Sequence, residues 1–185
     1  WKTPGFSQDE GHPVVCVDWK AAKAYVAWLS RKTEQKYRLL SESEWEYAAR
    51  ASTDAMRYWG HDWDSEKGCE YANVRDKQTG WNKSFKCDDG AKYTRTVGAY
   101  RPNAFGLHDM LGNVSEWTED CWNTSYSGAP INGTARTTGN CSARVLRGGS
   151  WGSFPWNLRS AYRYWFDTTF RDSFIGFRIA RTLSR

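Results

Sequence analysis

No stretch of this 185-residue chain approaches the roughly 18 consecutive apolar residues of a membrane-spanning helix. With 39% apolar residues and a mean hydropathy of −0.79, the composition is that of a soluble globular protein. Basic runs are missing as well. The net charge of +5 is spread through alternating Lys, Arg, Asp and Glu, so no nucleic-acid partner is expected. No C-x-x-C pair exists, and His12, His61 and His108 lie far apart, which argues against zinc. A P-loop, a dinucleotide fingerprint and a Ser-His-Asp set are all absent. No repeat, linker or low-complexity segment divides the chain, so residues 1–185 read as one domain. It opens on Trp1 without a recognisable leader and reads as a piece of a longer or processed product.

What is present begins with five cysteines. Cys69 and Cys87, and Cys121 and Cys141, each bracket a Gly/Asn/Asp-rich segment of loop character. Two local disulfides would staple those loops and place the chain outside the cytoplasm, in a periplasmic, surface or secreted setting. The alternative is five reduced thiols. Cys16, in the apolar run Val14-Val15-Cys16-Val17, is expected as a buried free thiol on a strand from Pro13 to Val17. Asp18 should cap a helix to about Arg31 with a buried stripe of Ala21, Ala22, Tyr25, Val26 and Leu29. Ser41-Glu42-Ser43-Glu44 is a capping box for a second helix to about Arg50, packed through Trp45, Tyr47, Ala48 and Ala49. Short strands are expected at 95–99, 115–118, 144–148 and 176–180. The rest is irregular and rich in Gly, Asn, Asp, Trp and Tyr.

The last quarter is the most informative part. Fixed-looking elements (Arg147-Gly148-Gly149-Ser150-Trp151, Leu158-Arg159-Ser160-Ala161, Gly176-Phe177-Arg178) enclose Phe154, Trp156, Asn157, Tyr162, Tyr164, Trp165, Phe166, Phe170, Asp172, Ser173 and Phe174. Neither period 2 nor period 3.6 organises these rings. Large aromatics beside small polar residues are the composition of a recognition surface. The arginines of the frame are expected as buried donors to backbone carbonyls. Asp109 and Glu116 flank Gly112-Asn113-Val114, and Asp88-Asp89-Gly90 follows Asn73-Val74 across the first staple. Such loops supply the oxygens that calcium needs, or else their carboxylates only cap turns.

Several motifs in order (Tyr37-Arg38-Leu39-Leu40-Ser41-Glu42-Ser43-Glu44-Trp45-Glu46-Tyr47-Ala48-Ala49-Arg50, Pro102-Asn103-Ala104-Phe105-Gly106-Leu107, Asp109-Met110-Leu111-Gly112-Asn113-Val114-Ser115-Glu116-Trp117, Arg147-Gly148-Gly149-Ser150-Trp151, Gly176-Phe177-Arg178) resemble the formylglycine-generating-enzyme, or sulfatase-modifying factor, family. The resemblance implies an α+β variant of the C-type lectin fold, with two helices, small twisted antiparallel sheets and much loop. The family's part before Pro13 is missing. It also implies two structural calcium sites. One would use Asn73, the Val74 carbonyl, Asp89 and the Ala91 carbonyl. The other would use Asp109, the Gly112 and Val114 carbonyls and Glu116. Family enzymes oxidise a substrate cysteine with a copper-binding cysteine pair after the Gly-Gly-Ser motif. This chain has no cysteine after Cys141 and carries Ser153 near the first position, so neither that activity nor copper is expected. Iron is not expected either.

The C-terminal stretch is most similar to the variable proteins of diversity-generating retroelements, whose Asn codons are changed at adenines. Gly152, Ser153, Phe154, Asn157, Tyr162, Tyr164, Phe166, Phe170, Asp172, Ser173 and Phe174 are all reachable that way, whereas Trp156 and Trp165 need another parent codon. The expected function is a non-catalytic domain that binds a protein or glycan surface through these thirteen residues. The alternatives are an oxidative or accessory family member and a module packed on neighbouring domains of a longer chain.

Overall fold

The computed structural model describes residues 3–61 and 66–183. Its described elements are helices α1 (Trp19–Thr33), α2 (Glu42–Arg50) and the single-turn α3 (Gly68–Tyr71), with strands β1 (Lys36–Leu39), β2 (Ser115–Trp122), β3 (Asn140–Arg147), β4 (Tyr164–Asp167), β5 (Ile175–Phe177) and β6 (Ile179–Thr182). No described helix is long and apolar enough to cross a membrane. The architecture is α+β, with one helix more than expected.

Both long helices start where their side chains satisfy the free amides of the first turn. Asp18 accepts from the Ala21 amide at 2.7 Å. Ser41 Oγ accepts from the Glu44 amide while Glu44 accepts from the Ser41 amide, which completes the capping box. Arg31 and Lys32 in the last turn of α1 oppose its negative end. The buried stripe of α1 is narrower than expected. Ala22 and Val26 are enclosed and Leu29 half so, but Ala21 and Tyr25 are exposed. Tyr25 instead leans on the Trp28 and Phe177 rings at the surface. Along α2, Trp45 and Ala49 are buried, whereas Tyr47 points outward against Phe105.

Four strands form a sheet in the order β4-β3-β2-β5, and β1 pairs with β6 in a second, two-stranded sheet. All pairings are antiparallel except β2 with β5, which is parallel, so the larger sheet is mixed. The expected strand at 13–17 does not form. Cys16 sits at φ +56°, which breaks the extended run, and its amide donates to the Asp172 carbonyl. Its thiol is free but only half-buried. The expected strand at 95–99 is also absent, because Gly98 turns the chain at φ +77° toward Asp109.

Two cores hold the layers together. One gathers Trp45, Ala49, Val74, Phe85, Met110, Leu111 and Leu158. The other joins Ala22, Val26 and Leu39 to Trp117, Leu146 and Ile175 of the sheet. Disulfides Cys69–Cys87 and Cys121–Cys141 close the two irregular segments as expected, each worth about 2–4 kcal/mol through the loop entropy it removes.

Candidate functional site

The acidic loops lie back to back. Gly112, at φ +83°, packs so tightly on the first loop that a Cβ there would stand 2.3 Å from the Asn73 carbonyl oxygen. The Asn113 amide donates to that same carbonyl at 2.8 Å. In the first loop Asp89 accepts from the Val74 and Ala91 amides, both within 2.8 Å. Burial pushes its carboxyl up to about 7, with Asp76 adding to the shift. Asn73 Oδ1 is enclosed without a partner. A buried carboxylate pair beside an unpartnered amide oxygen fits a hard cation, because charge and oxygen valence are both uncompensated. Cys69, Asp76 and Asp89 cluster within ligand range, but Cys69 is committed to its disulfide and leaves two carboxylates.

In the second loop Asp109 accepts from the Gly98 amide through Oδ2, while Oδ1 is buried and unpartnered. Burial raises its pKa. Glu116 accepts from the Trp45 indole at 2.6 Å and pairs with Arg178 at 2.9 Å. Asp109, Val114 and Glu116 border one cavity of about 450 Å³, which brings most of the expected second set together. Arg178 already offsets one charge there, so the first loop has the larger uncompensated negative charge. Among the described histidines, His12 bonds Thr94 and His108 bonds the Tyr100 carbonyl.

A second cavity, of about 430 Å³, opens between the 149–157 segment and strands β3 and β4. Its walls include eight of the expected residues: Gly152, Ser153, Phe154, Asn157, Tyr162, Tyr164, Phe166 and Phe174. The frame explains why they converge. Arg147 is fully enclosed at the end of β3 and donates to the Tyr162 and Ser160 carbonyls, while its charge pairs with Glu46. That ties the 160–162 turn to the sheet, as expected for the frame arginines. Ser153 Oγ accepts from the Ser150 amide at 2.9 Å and fixes the turn above the floor. Gly149, at φ +68°, lies where a Cβ would crowd Leu158 and Ser153. The Trp151 amide donates to the Asn113 carbonyl, so the second acidic loop supports the cleft directly.

Five expected residues lie outside the cavity lining. Trp156 stacks on Phe154 at 4.5 Å on the rim. Trp165 faces Trp122, because alternation along β4 turns it away from Tyr164 and Phe166. Phe170 stacks behind Phe166 at 3.9 Å. Asp172 accepts from the Ser173 amide, and the Ser173 carbonyl accepts from the Trp151 indole. Conversely, Trp81 lines the cleft from the loop between Cys69 and Cys87, more than sixty residues away. No local sequence signal marks it. Ser115, Leu146, Arg147, Gly149, Ser150 and Trp151 complete the lining.

Residues 2–183 match the model of the sulfatase-modifying factor enzyme 1-like domain. The chain belongs to this sulfatase-modifying factor family. It is 34% identical to the formylglycine-generating enzyme of Thermomonospora curvata over 163 residues, 81% of this chain and 50% of that protein. Identity to the mouse formylglycine-generating enzyme is also 34%, over 91% of this chain and 44% of that protein. The chain therefore spans about half the length of these relatives. Among solved structures, PvdO from Pseudomonas aeruginosa superposes with a TM-score of 0.84 at 39% identity, covering 96% of this chain and 65% of that one. Variable protein 1 of Treponema denticola shares the fold with a TM-score of 0.76 at 24% identity, covering 95% of this chain and 73% of that one. Ser153 presents its hydroxyl side chain to the cleft of this family member.

Proposed function

We propose that this chain is a non-catalytic recognition domain that holds a protein or glycan surface in its aromatic cleft. The convergence of eight expected contact residues on one cavity carries the reading. Their rings offer contact area at low entropic cost, and Ser150, Ser153 and Asn157 offer hydrogen bonds of either polarity. Among the described residues, the polar groups of the lining are hydroxyls, amides, two indole N–H groups and one enclosed guanidinium, with no thiol or imidazole. Calcium has a structural role in this reading. Asn73, Val74, Asp89 and Ala91 would hold one ion, and Asp109, Gly112, Val114 and Glu116 another. A bound ion would neutralise the buried carboxylates and stiffen the loops beneath the cleft. The two disulfides suit an extracytoplasmic site of action.

The cleft is also the surface that a diversity-generating retroelement would vary. All eight expected lining residues are reachable from Asn codons, while the Arg147, Gly148, Gly149 and Leu158 frame behind them is locked by packing. The shared fold of a Treponema variable protein supports this at the level of architecture. Sequencing the locus tests it. A near-copy of the segment encoding residues 148–178, differing at adenines and lying beside a reverse transcriptase gene, is the expected result. No such copy would refute the diversification.

Likeness to formylglycine-generating enzymes favours a second reading, an oxidative or accessory family member. Copper or iron bound stoichiometrically in the purified protein would support it, and calcium alone would count against it.

A further inference from the structure

We infer that the partner of the aromatic cleft is an acidic protein surface, one whose aspartates and glutamates flank aromatic or aliphatic side chains. The inference rests on the recognition reading above and deepens it. Charge around the cavity carries it. Among the described residues no aspartate or glutamate lines the cleft, and the described lining cation, Arg147, is enclosed and committed to Glu46. The rim differs. Arg75 lies over two lining rings, 4.1 Å from the centroid of Phe154 and 4.9 Å from that of Trp81. Lys83 stands 5.8 Å over Trp156, the ring stacked on Phe154. Arg159 stands 5.9 Å from Tyr162.

Arg38, Arg101, Arg163, Arg171 and Arg178 each have a carboxylate within 4.0 Å. Among the described residues, no such ion pair reaches Arg75, Lys83 or Arg159. Arg75 donates to the Asn82 carbonyl and Arg159 to the Trp156 carbonyl, which hold both guanidiniums in place without neutralising them. Arg75 Nε is buried without a partner. An aromatic centre with three cations on its rim that no described carboxylate pairs is the anatomy of a protein interface that selects its partner by complementary charge. A nucleic acid would need a track of cations matched to its phosphates, and three cations around an aromatic floor do not make one. Arg75 and Lys83 lie outside the 152–174 segment, and Arg159 belongs to the frame. The charge preference would therefore persist whichever side chains occupy the cleft.

The test is a binding titration of the purified protein against a random Glu/Tyr copolymer, with a Lys/Tyr copolymer, heparin and single-stranded DNA as comparators. The expected result is selective binding of the Glu/Tyr polymer, weakened at least about tenfold in Arg75→Glu/Lys83→Glu/Arg159→Glu and again by raising salt from about 0.05 to about 0.5 M. The Gln triple at the same positions should fall in the same direction, with thermal unfolding certifying its fold. Lys20→Glu/Lys32→Glu/Lys36→Glu changes net charge equally on the exposed side of α1 and β1, and should leave binding within about twofold. Equal loss in both Glu triples would overturn the proposal, because net charge alone would then explain the binding. So would equal binding of the two copolymers, no binding of the Glu/Tyr polymer, or preference for heparin or DNA. Any of these would leave the template repeat at the locus as the separate arbiter of the recognition reading.

Discussion

At Gly112 a missing side chain joins the two acidic loops. Alanine would set a Cβ against the Asn73 carbonyl at a positive φ that only glycine adopts without strain. Gly112→Ala is expected to cost about 3 kcal/mol through overpacking and backbone strain together, read as a lowered midpoint in urea unfolding. An unchanged midpoint would mean that the loops separate easily. Residues of this kind were legible in the sequence because their chemistry is unusual for their place. Asp89, Asp109 and Glu116 stood out as carboxylates in Gly/Asn turns, and the structure buries all three. Trp81 was not legible. It reaches the cleft only because a disulfide-closed loop folds over it, and loop closure leaves no period in the local sequence. Trp165 failed for the opposite reason: β4 alternation turns it outward, and four residues are too few to show that alternation against a background of rings.

The elements followed their caps more faithfully than their apolar runs. Both long helices begin at the capping residues expected, since an N-cap is a local hydrogen bond that distant chain seldom overrides. Strand pairing is non-local, and the runs at 13–17 and 95–99 were lost to left-handed turns at Cys16 and Gly98, whose amides bond the distant Asp172 and Asp109. The α2 cap has a pH signature. Burial raises the Glu44 pKa, but hydrogen bonds from Arg38 and the Ser41 amide outweigh it and leave the group below its ordinary value. A lowered acid contributes stability that is present above its unfolded pKa and lost as pH falls through the folded one. The stability gap between wild type and Glu44→Gln should therefore be widest near about pH 6–7 and close below about pH 4. A gap constant with pH would place the cap's contribution in hydrogen-bond shape alone.

Across the whole molecule, irregular chain is held by two disulfides, and the proposed calcium sites would add to them where regular elements would otherwise serve. Stripping calcium should lower the melting temperature, and restoring it at about a hundredfold excess over Kd should return about 2.7 kcal/mol. Asp109→Asn should blunt that response, and calorimetry with and without chelator reads it. The α+β class and the family were legible because several motifs occur in a fixed order. The mixed pairing of β2 with β5 was not, because it depends on the return of a distant segment.

In a recognition cleft the side chains of the lining serve contact rather than fold, and thermal unfolding of a variant pair tests that directly. Phe154, Asn157, Tyr162 and Tyr164 are half-buried to exposed, whereas Leu158 beside them is fully enclosed. The quadruple replacement of those four by serine should melt above the single Leu158→Ala, whose cavity costs about 2–5 kcal/mol. A quadruple variant that melts below Leu158→Ala, or does not fold, would make these side chains part of the core and contradict the recognition surface.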